Sequence, residues 1–357
     1  MRSTLFTLNA VLLSLVVAHP TKRATKVQYA GVNVAGFDFG CATDGTCGLT
    51  GNNKPYDIVS GANAIGQMNH FVKDDSLNAL RLPVGWQFLT NGQLGGQLNS
   101  NNAGQYDRLV QGCLNSGAAL CILDIHNYAR WNGKIVGQGG PTNAQLADIW
   151  KQLATKYGKN SKIAFGVMNE PFCLTQPQDI KAWAATVQEV VTAIRNAGAT
   201  SNIILLPGNN WTSAETYVSS GSAEALAAVK NPDGTTSNLI MDVHKYLDSD
   251  NSGTHTDCVK NNIDNAFKPL AEWLRSNGRQ AMLTETGGGN TASCQQYMCQ
   301  QIEYLNQNAD VYLGYTGWAA GGFAPSYELN EVPTQNGNSW TDTSLVKSCI
   351  VGAWKNA

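Results

Sequence analysis

Short apolar runs alternate with longer amphipathic stretches along almost the whole chain, and they do so eight times. The runs are Val27–Val34, Ala79–Val84, Ala119–Ile125, Ile163–Met168, Asn202–Pro207, Leu239–Val243, Gln280–Thr284 and Val311–Thr316. Each is too short for a helix and is bounded by Gly, Asn or Pro, so each reads as a strand. Near-continuous hydrophobicity such as Ile203-Ile204-Leu205-Leu206 marks a strand buried on both faces, as in a parallel sheet. The stretches between carry helical stripes. In Asp179–Gly198 the apolar residues Ile180, Trp183, Ala184, Val187, Val190, Val191 and Ile194 share one face of a 3.6-residue period, and Gly198 stops the helix. Gln145–Tyr157, Cys258–Asn277 and Ala292–Asn308 are similar. Strand then helix, eight times, predicts a single α/β domain built as a (β/α)8 barrel. A doubly wound open sheet is the alternative, but the first strand ends in Val34-Ala35-Gly36-Phe37, which lacks the glycine fingerprint of that fold.

The chain begins with what reads as an address. Arg2 supplies a positive start, Leu5 to Val17 an apolar run, and Val16-Val17-Ala18 a small-residue cleavage site, so residues 1–18 are expected to be a signal peptide. Lys22-Arg23 reads as a dibasic processing site that ends a pro-segment over 19–23. Removing both takes the basic residues from 24 to 21 against 26 acidic ones, a net charge of −5 for a secreted domain over 24–357. No Ser/Thr/Pro-rich linker or appended carbohydrate-binding module is expected. No later stretch reaches the ~18 apolar residues of a transmembrane helix, so no membrane partner is expected. Charged residues are only 14%, with no basic cluster, which argues against nucleic acid. A neutral polar surface with 36 Gly and 9 Trp suits a hydroxyl-rich ligand, and a monomer is expected.

Nine cysteines agree with export, and an odd count leaves at least one thiol over. Cys41 and Cys47 flank a turn and can close a small loop; Cys113 and Cys121 flank a helix-to-strand turn. Spacing alone does not assign the rest.

In such a barrel, chemistry collects where the strands end. Those ends carry Arg81-Leu82-Pro83-Val84-Gly85-Trp86, Asp124-Ile125-His126-Asn127-Tyr128, Asn169-Glu170-Pro171, Asn209-Asn210-Trp211, Asp242-Val243-His244-Lys245-Tyr246, Thr284-Glu285-Thr286 and Gly317-Trp318. A single glutamate there is more often a cap or a loop charge. Two ending nonadjacent buried strands are costly unless paired or used, which points to Glu170 and Glu285 as a working pair. His126 and His244 taken alone are core histidines. Each follows an Asp by two residues, but no H-x-H, H-E-x-x-H or C-x2-C spacing supports a metal, and no cofactor is expected. Trp86, Trp131, Trp211 and Trp318 fall just past strand ends, where flat rings can carry the C–H faces of sugars.

These motifs resemble glycoside hydrolase family 5, through Asn169-Glu170-Pro171 and Thr284-Glu285-Thr286-Gly287. Gly31-Val32-Asn33-Val34-Ala35-Gly36-Phe37-Asp38-Phe39-Gly40-Cys41, Arg81–Trp86, Asp124–Trp131 and Asp242–Asp248 further resemble its secreted fungal endo-β-1,4-glucanases. The resemblance covers about Tyr29 to Cys349. It implies a retaining hydrolase of β-1,4-glucan with Glu170 as acid/base and Glu285 as nucleophile. Arg81, His126, Asn169, His244, Tyr246 and Trp318 match the rest of the family's site, with Asn33, Trp131 and Trp211 as supporting positions. It also implies the pairs Cys41–Cys47, Cys113–Cys121, Cys258–Cys294 and Cys299–Cys349, leaving Cys173 free. One departure is Phe172-Cys173, where many relatives carry His after Asn-Glu-Pro. The chemistry requires the two carboxyls to differ: Arg81 and Tyr246 should keep Glu285 ionised while an apolar, electronegative site keeps Glu170 protonated. A β-mannanase or a mixed-linkage or xyloglucan hydrolase would share these residues, and a carbohydrate-binding protein on a dead barrel would have lost one of the glutamates.

Overall fold

The computed structural model describes residues 26–51, 54–173 and 177–357. The expected signal peptide and pro-segment lie outside them. Eight parallel strands close into a barrel in sequential order: β1 Tyr29–Ala35, β2 Ala79–Val84, β3 Leu120–Ile125, β4 Ile163–Gly166, β5 Ile204–Pro207, β6 Leu239–His244, β7 Ala281–Glu285 and β8 Tyr312–Gly321, which returns to β1. Each falls on one of the eight apolar runs. Gly31 stands where β1 pairs with both β2 and β8; a Cβ there would lie 1.6 Å from the Ala79 carbonyl oxygen, so only glycine fits the seam.

The period of two along each strand sorts the core from the chemistry. Ala79, Leu120, Ile122, Ala164, Leu205, Ile240, Met282 and Leu313 pack together inside the barrel. On the same faces and further along the same strands come Arg81 in β2, Asp124 in β3 and Asp242 and His244 in β6. The intervening residues Leu80, Leu82, Cys121, Leu123, Met241 and Val243 join the outer core beneath the helices. At the top of β7 the alternation breaks: its pairing with β6 skips a residue between Val243↔Leu283 and His244↔Glu285, and Glu285 reaches the Arg81 guanidinium across the barrel.

The surrounding helices include α1 Ala64–Lys73, α2 Ser100–Ser116, α3 Asn143–Tyr157, α4 Pro177–Asn196, α5 Ser222–Ala227, α6 Lys268–Ser276 and α7 Ala292–Gln307. The α4 stripe behaves as expected: Ile180, Trp183, Val187, Val190, Val191 and Ile194 are buried. In α3 a capping box sets the start, with the Thr142 hydroxyl accepting from Gln145 N and the Gln145 side chain accepting from Thr142 N. The expected helix over Cys258–Asn277 needs correction. Residues 258–262 are not helical, because Cys258 is tied to Cys294 and Asn262 adopts a left-handed φ of 57°; a π-helical turn, Ile263–Phe267, then leads into α6.

The four expected disulfides are present and Cys173 is an exposed free thiol. Their sequence separations are 6, 8, 36 and 50 residues. Chain entropy then ranks them: losing the Cys299–Cys349 bridge should cost about 4 kcal/mol and losing Cys41–Cys47 about 2 kcal/mol. Calorimetry should find Cys299→Ser less stable than Cys41→Ser, and Cys173→Ser indistinguishable from the parent. A drop for Cys173→Ser equal to the other two contradicts that order.

Candidate active site

Arg81 organises the mouth of the barrel. It is completely buried, and a bare guanidinium there would be expensive, so its surroundings supply acceptors to both terminal nitrogens. Nη1 donates to Glu285 Oε1 (2.5 Å) and Asn33 Oδ1 (2.9 Å); Nη2 donates to Asn169 Oδ1 (2.8 Å) and lies 3.1 Å from Asp124 Oδ1. Burial alone would favour the neutral guanidine, but Asp124 and then Glu285 override it and raise the Arg81 pKa. Asn33 sits behind this group rather than on the cleft wall. Its amide donates to the carbonyls of Thr284 and Gly317 (2.9 Å each), which aims its oxygen at Arg81.

Glu285, the last residue of β7, also accepts from the Tyr246 hydroxyl through Oε2 (2.7 Å). Both of its oxygens therefore receive donors, the pattern of an ionised carboxylate. Glu170 follows β4 in a left-handed conformation, φ 39°, unusual for a residue with a side chain and found where a site fixes the backbone. Its Oε1 is 2.7 Å from His244 Nδ1. Burial first, and then the Glu285 charge, hold the Glu170 carboxyl well above the ordinary range. Burial, followed by Arg81 and His126, holds the His244 imidazole well below its ordinary value, so it stays neutral. Its Nε2 is 2.9 Å from the Thr284 hydroxyl, which in turn meets Asp242. Burial, against the pull of Arg81, pushes the Asp242 carboxyl up to about 7. The contacting atoms of Glu170, His244 and Glu285 all lie within 4.8 Å of one another.

A cleft of 690 Å³ opens over these groups, lined by Asn169, Glu170, Tyr246, Glu285, Trp211 and Trp318 among others. Asn169 Nδ2 is buried there with no protein partner. Trp318 lies parallel to His126 (5.3 Å, 12°), and its indole donates to the Tyr327 hydroxyl (3.0 Å). Burial opposes a proton on His126, but Asp124, 2.8 Å from Nδ1, overrides it and raises the imidazole. Trp211 lies flat on Phe172 (4.0 Å, 3°), and the Arg130 guanidinium stands 3.7 Å over the Phe172 ring. The departure at Phe172 therefore builds an aromatic wall of its own.

Two expected aromatic platforms fail. Trp86 is fully buried because the chain turns helical over Trp86–Thr90 and folds it into the core. Trp131 is 9% exposed, packed edge-on against Trp86 (5.1 Å), and does not line the cleft; its two-residue strand, Arg130–Trp131, pairs with Lys134–Ile135 and turns it away. The sequence reading also missed Tyr327, which comes from the loop after β8, and the pair Lys245–Glu215 (2.6 Å) on the cleft lining. Tyr327 and Glu215 carry no periodic or motif signal, and Lys245 sits within the Asp242–Asp248 segment without being singled out there.

Among the described residues three groups could gather around a metal ion: Glu170–His244–Glu285, His70–Asp75–Asp342 and Asp248–Asp250–His255. An ion in the first would occupy both carboxyls that form the cleft's acid–carboxylate pair.

Comparison with known proteins agrees with this geometry. The family model for cellulase (glycosyl hydrolase family 5) matches residues 32–321. Endoglucanase EG-II of Hypocrea jecorina is 64% identical over 328 residues, covering 91% of this chain and 77% of the relative. Manganese dependent endoglucanase Eg5A of Phanerodontia chrysosporium is 45% identical, covering 88% and 78%. The crystal structure of Cel5A (EG2) from Hypocrea jecorina superposes with a TM-score of 0.87 over 91% of this chain and 98% of that one. XacCel5A in complex with cellopentaose, 30% identical, superposes with a TM-score of 0.78 over 92% and 99%. The chain belongs to glycosyl hydrolase family 5, the cellulases.

Proposed function

We propose that the protein is a retaining endo-β-1,4-glucanase that cleaves internal bonds of cellulose and related β-glucans, with Glu285 as nucleophile and Glu170 as acid/base. The carrying observation is the carboxyl pair. Retaining glycosidases hold their two carboxyls about 5–5.5 Å apart and inverting ones about 6.5–9.5 Å; here the facing oxygens are within 4.8 Å. A glucan chain lying in the cleft presents its anomeric carbon to Glu285. As the glycosidic C–O bond breaks, Glu170 gives its proton to the leaving oxygen and a Glu285 oxygen bonds to the anomeric carbon. Glu170, now ionised, takes a proton from water; the water oxygen attacks the anomeric carbon and Glu285 leaves as carboxylate. Two inversions return the β configuration. The Asn169 amide, buried without a partner, is free to donate to the sugar 2-hydroxyl, and Trp211 and Trp318 offer flat faces to neighbouring rings.

Substrate choice within β-glucans follows from the relatives, which are named endoglucanases, and from the cellopentaose held by XacCel5A. Secretion is supported by the leader-like start and four disulfides, and no helix among the described residues is long and apolar enough to cross a membrane. A monomeric state is supported by the exposed large apolar residues, Tyr56, Leu94, Val218 and Val259, which lie in four separate loops. One experiment tests the reading. Cellopentaose digested in an NMR tube should release the β-anomer first, with the α-anomer growing in by mutarotation, and rates on carboxymethylcellulose and barley β-glucan should exceed those on mannan. An initial α-anomer would refute retention, and faster mannan cleavage would refute the substrate.

A further inference from the structure

Away from the cleft, the last turn of α1 carries a histidine enclosed by acids. The His70 imidazole is 6% exposed. Its Nδ1 lies 2.8 Å from Asp74 Oδ2, and its Nε2 lies 3.0 Å from Asp342 Oδ1 and 3.3 Å from Asp75 Oδ2. Asp342 arrives from the far end of the chain, directly after a hairpin of Thr334–Asn336 and Ser339–Thr341. The Asp75 and Asp342 side chains are each only 9% exposed.

A proton does not satisfy this arrangement. One N–H on Nε2 serves one carboxylate, and the distances give it to Asp342. Asp75 Oδ2 is then buried with no hydrogen-bond donor. The nearest cation to the other Asp75 oxygen, Lys355 Nζ, stands off at 3.7 Å. An unserved buried carboxylate oxygen is costly, more so beside a second acid. The same conflict, burial first and the Asp342 charge second, pushes the Asp75 carboxyl up to about 6.

We propose that His70 Nε2, Asp75 Oδ2 and Asp342 Oδ1 form a binding site for a divalent first-row cation, Mn²⁺ or Zn²⁺. Ligand atoms about 2.0–2.2 Å from such an ion stand roughly 3.0–3.5 Å from one another, and the spacings here are 3.0 and 3.3 Å. A metal-bound imidazole donates its second N–H to a carboxylate that fixes its tautomer; Asp74 stands in that place on Nδ1. One nitrogen with two carboxylates suits these ions better than Ca²⁺ or Mg²⁺, which take oxygen cages. The dication takes the position of the Nε2 proton and reaches both acids at once. It fastens the hairpin to α1 across 272 residues of chain, so its effect falls on stability and does not depend on the catalytic reading.

The test uses the mature protein stripped with EDTA and titrated with MnCl2, and separately with ZnCl2, by calorimetry and by the loss of the free Mn²⁺ EPR signal. One ion per chain is expected, with Tm raised by about 3–5 °C at a hundredfold excess over Kd. Asp75→Asn and Asp342→Asn should each weaken binding at least tenfold. Glu170→Gln and Asp248→Asn, which each remove a ligand from the two other acidic groups, should leave it unchanged. No saturable binding to the folded parent at 1 mM metal overturns the proposal without any variant. So does binding that is lost with Glu170→Gln or Asp248→Asn and kept with Asp342→Asn.

Discussion

Glu285→Gln should be inert on every substrate, natural or activated, losing several thousandfold or more in kcat. The amide is nearly isosteric, so it keeps the shape of the site, but it cannot form the ester to the anomeric carbon. It also changes what Arg81 and Tyr246 meet, since both now donate to a carboxylate. No leaving group, however good, bypasses a missing nucleophile. Azide offers a way round: with the smaller Glu285→Gly it can attack from the vacated side in a single inversion, and the product should be the α-azide. A β-azide from that variant would move the nucleophile label elsewhere.

Glu170→Gln should separate substrates instead of silencing all of them. Cellulose needs its leaving oxygen protonated, and removing the acid should cost about 10²–10⁴-fold there. An aryl glycoside with an acidic phenol departs with little help, so the glycosyl-enzyme should still form and accumulate. Its hydrolysis then limits turnover, because no base activates water. Azide, which needs no base, should restore turnover and give the β-azide, configuration retained. Equal losses on cellulose and on the activated glycoside would show that Glu170 is not the proton donor.

The barrel was legible because its strands are buried on both faces and its helices on one, so Ile204–Pro207 and the α4 stripe announce themselves in composition alone. Glu170 and Glu285 stood out as charges where a strand should have continued. The surrounding set rested on motif resemblance, and there the structure divides it. Asn169, Tyr246, His126 and Trp318 reach the cleft, His244 lies buried against Glu170, Asn33 works one layer behind the cleft, and Trp131 packs elsewhere. Position after a strand does not say which way a side chain turns once the loop begins. Trp131 and the start of α6 were misread for that reason: a two-residue hairpin and a disulfide redirect the chain, and neither has a hydrophobic period. The His70 cluster was invisible for another reason, since its ligands lie 272 residues apart and no motif joins them.

Arg81 has one more consequence. Its side chain belongs to β2, yet it is held by Asn33 of β1, Asp124 of β3, Asn169 beyond β4 and Glu285 of β7. Five staves of the ring meet at one guanidinium. If any seam between them opens, water reaches the cation, its attractions weaken, and Glu285 loses its bearing. Alignment of the site is thus inseparable from closure of the ring. Loss of activity on heating should then follow the same cooperative curve as loss of the barrel, with no inactive but still closed form in between.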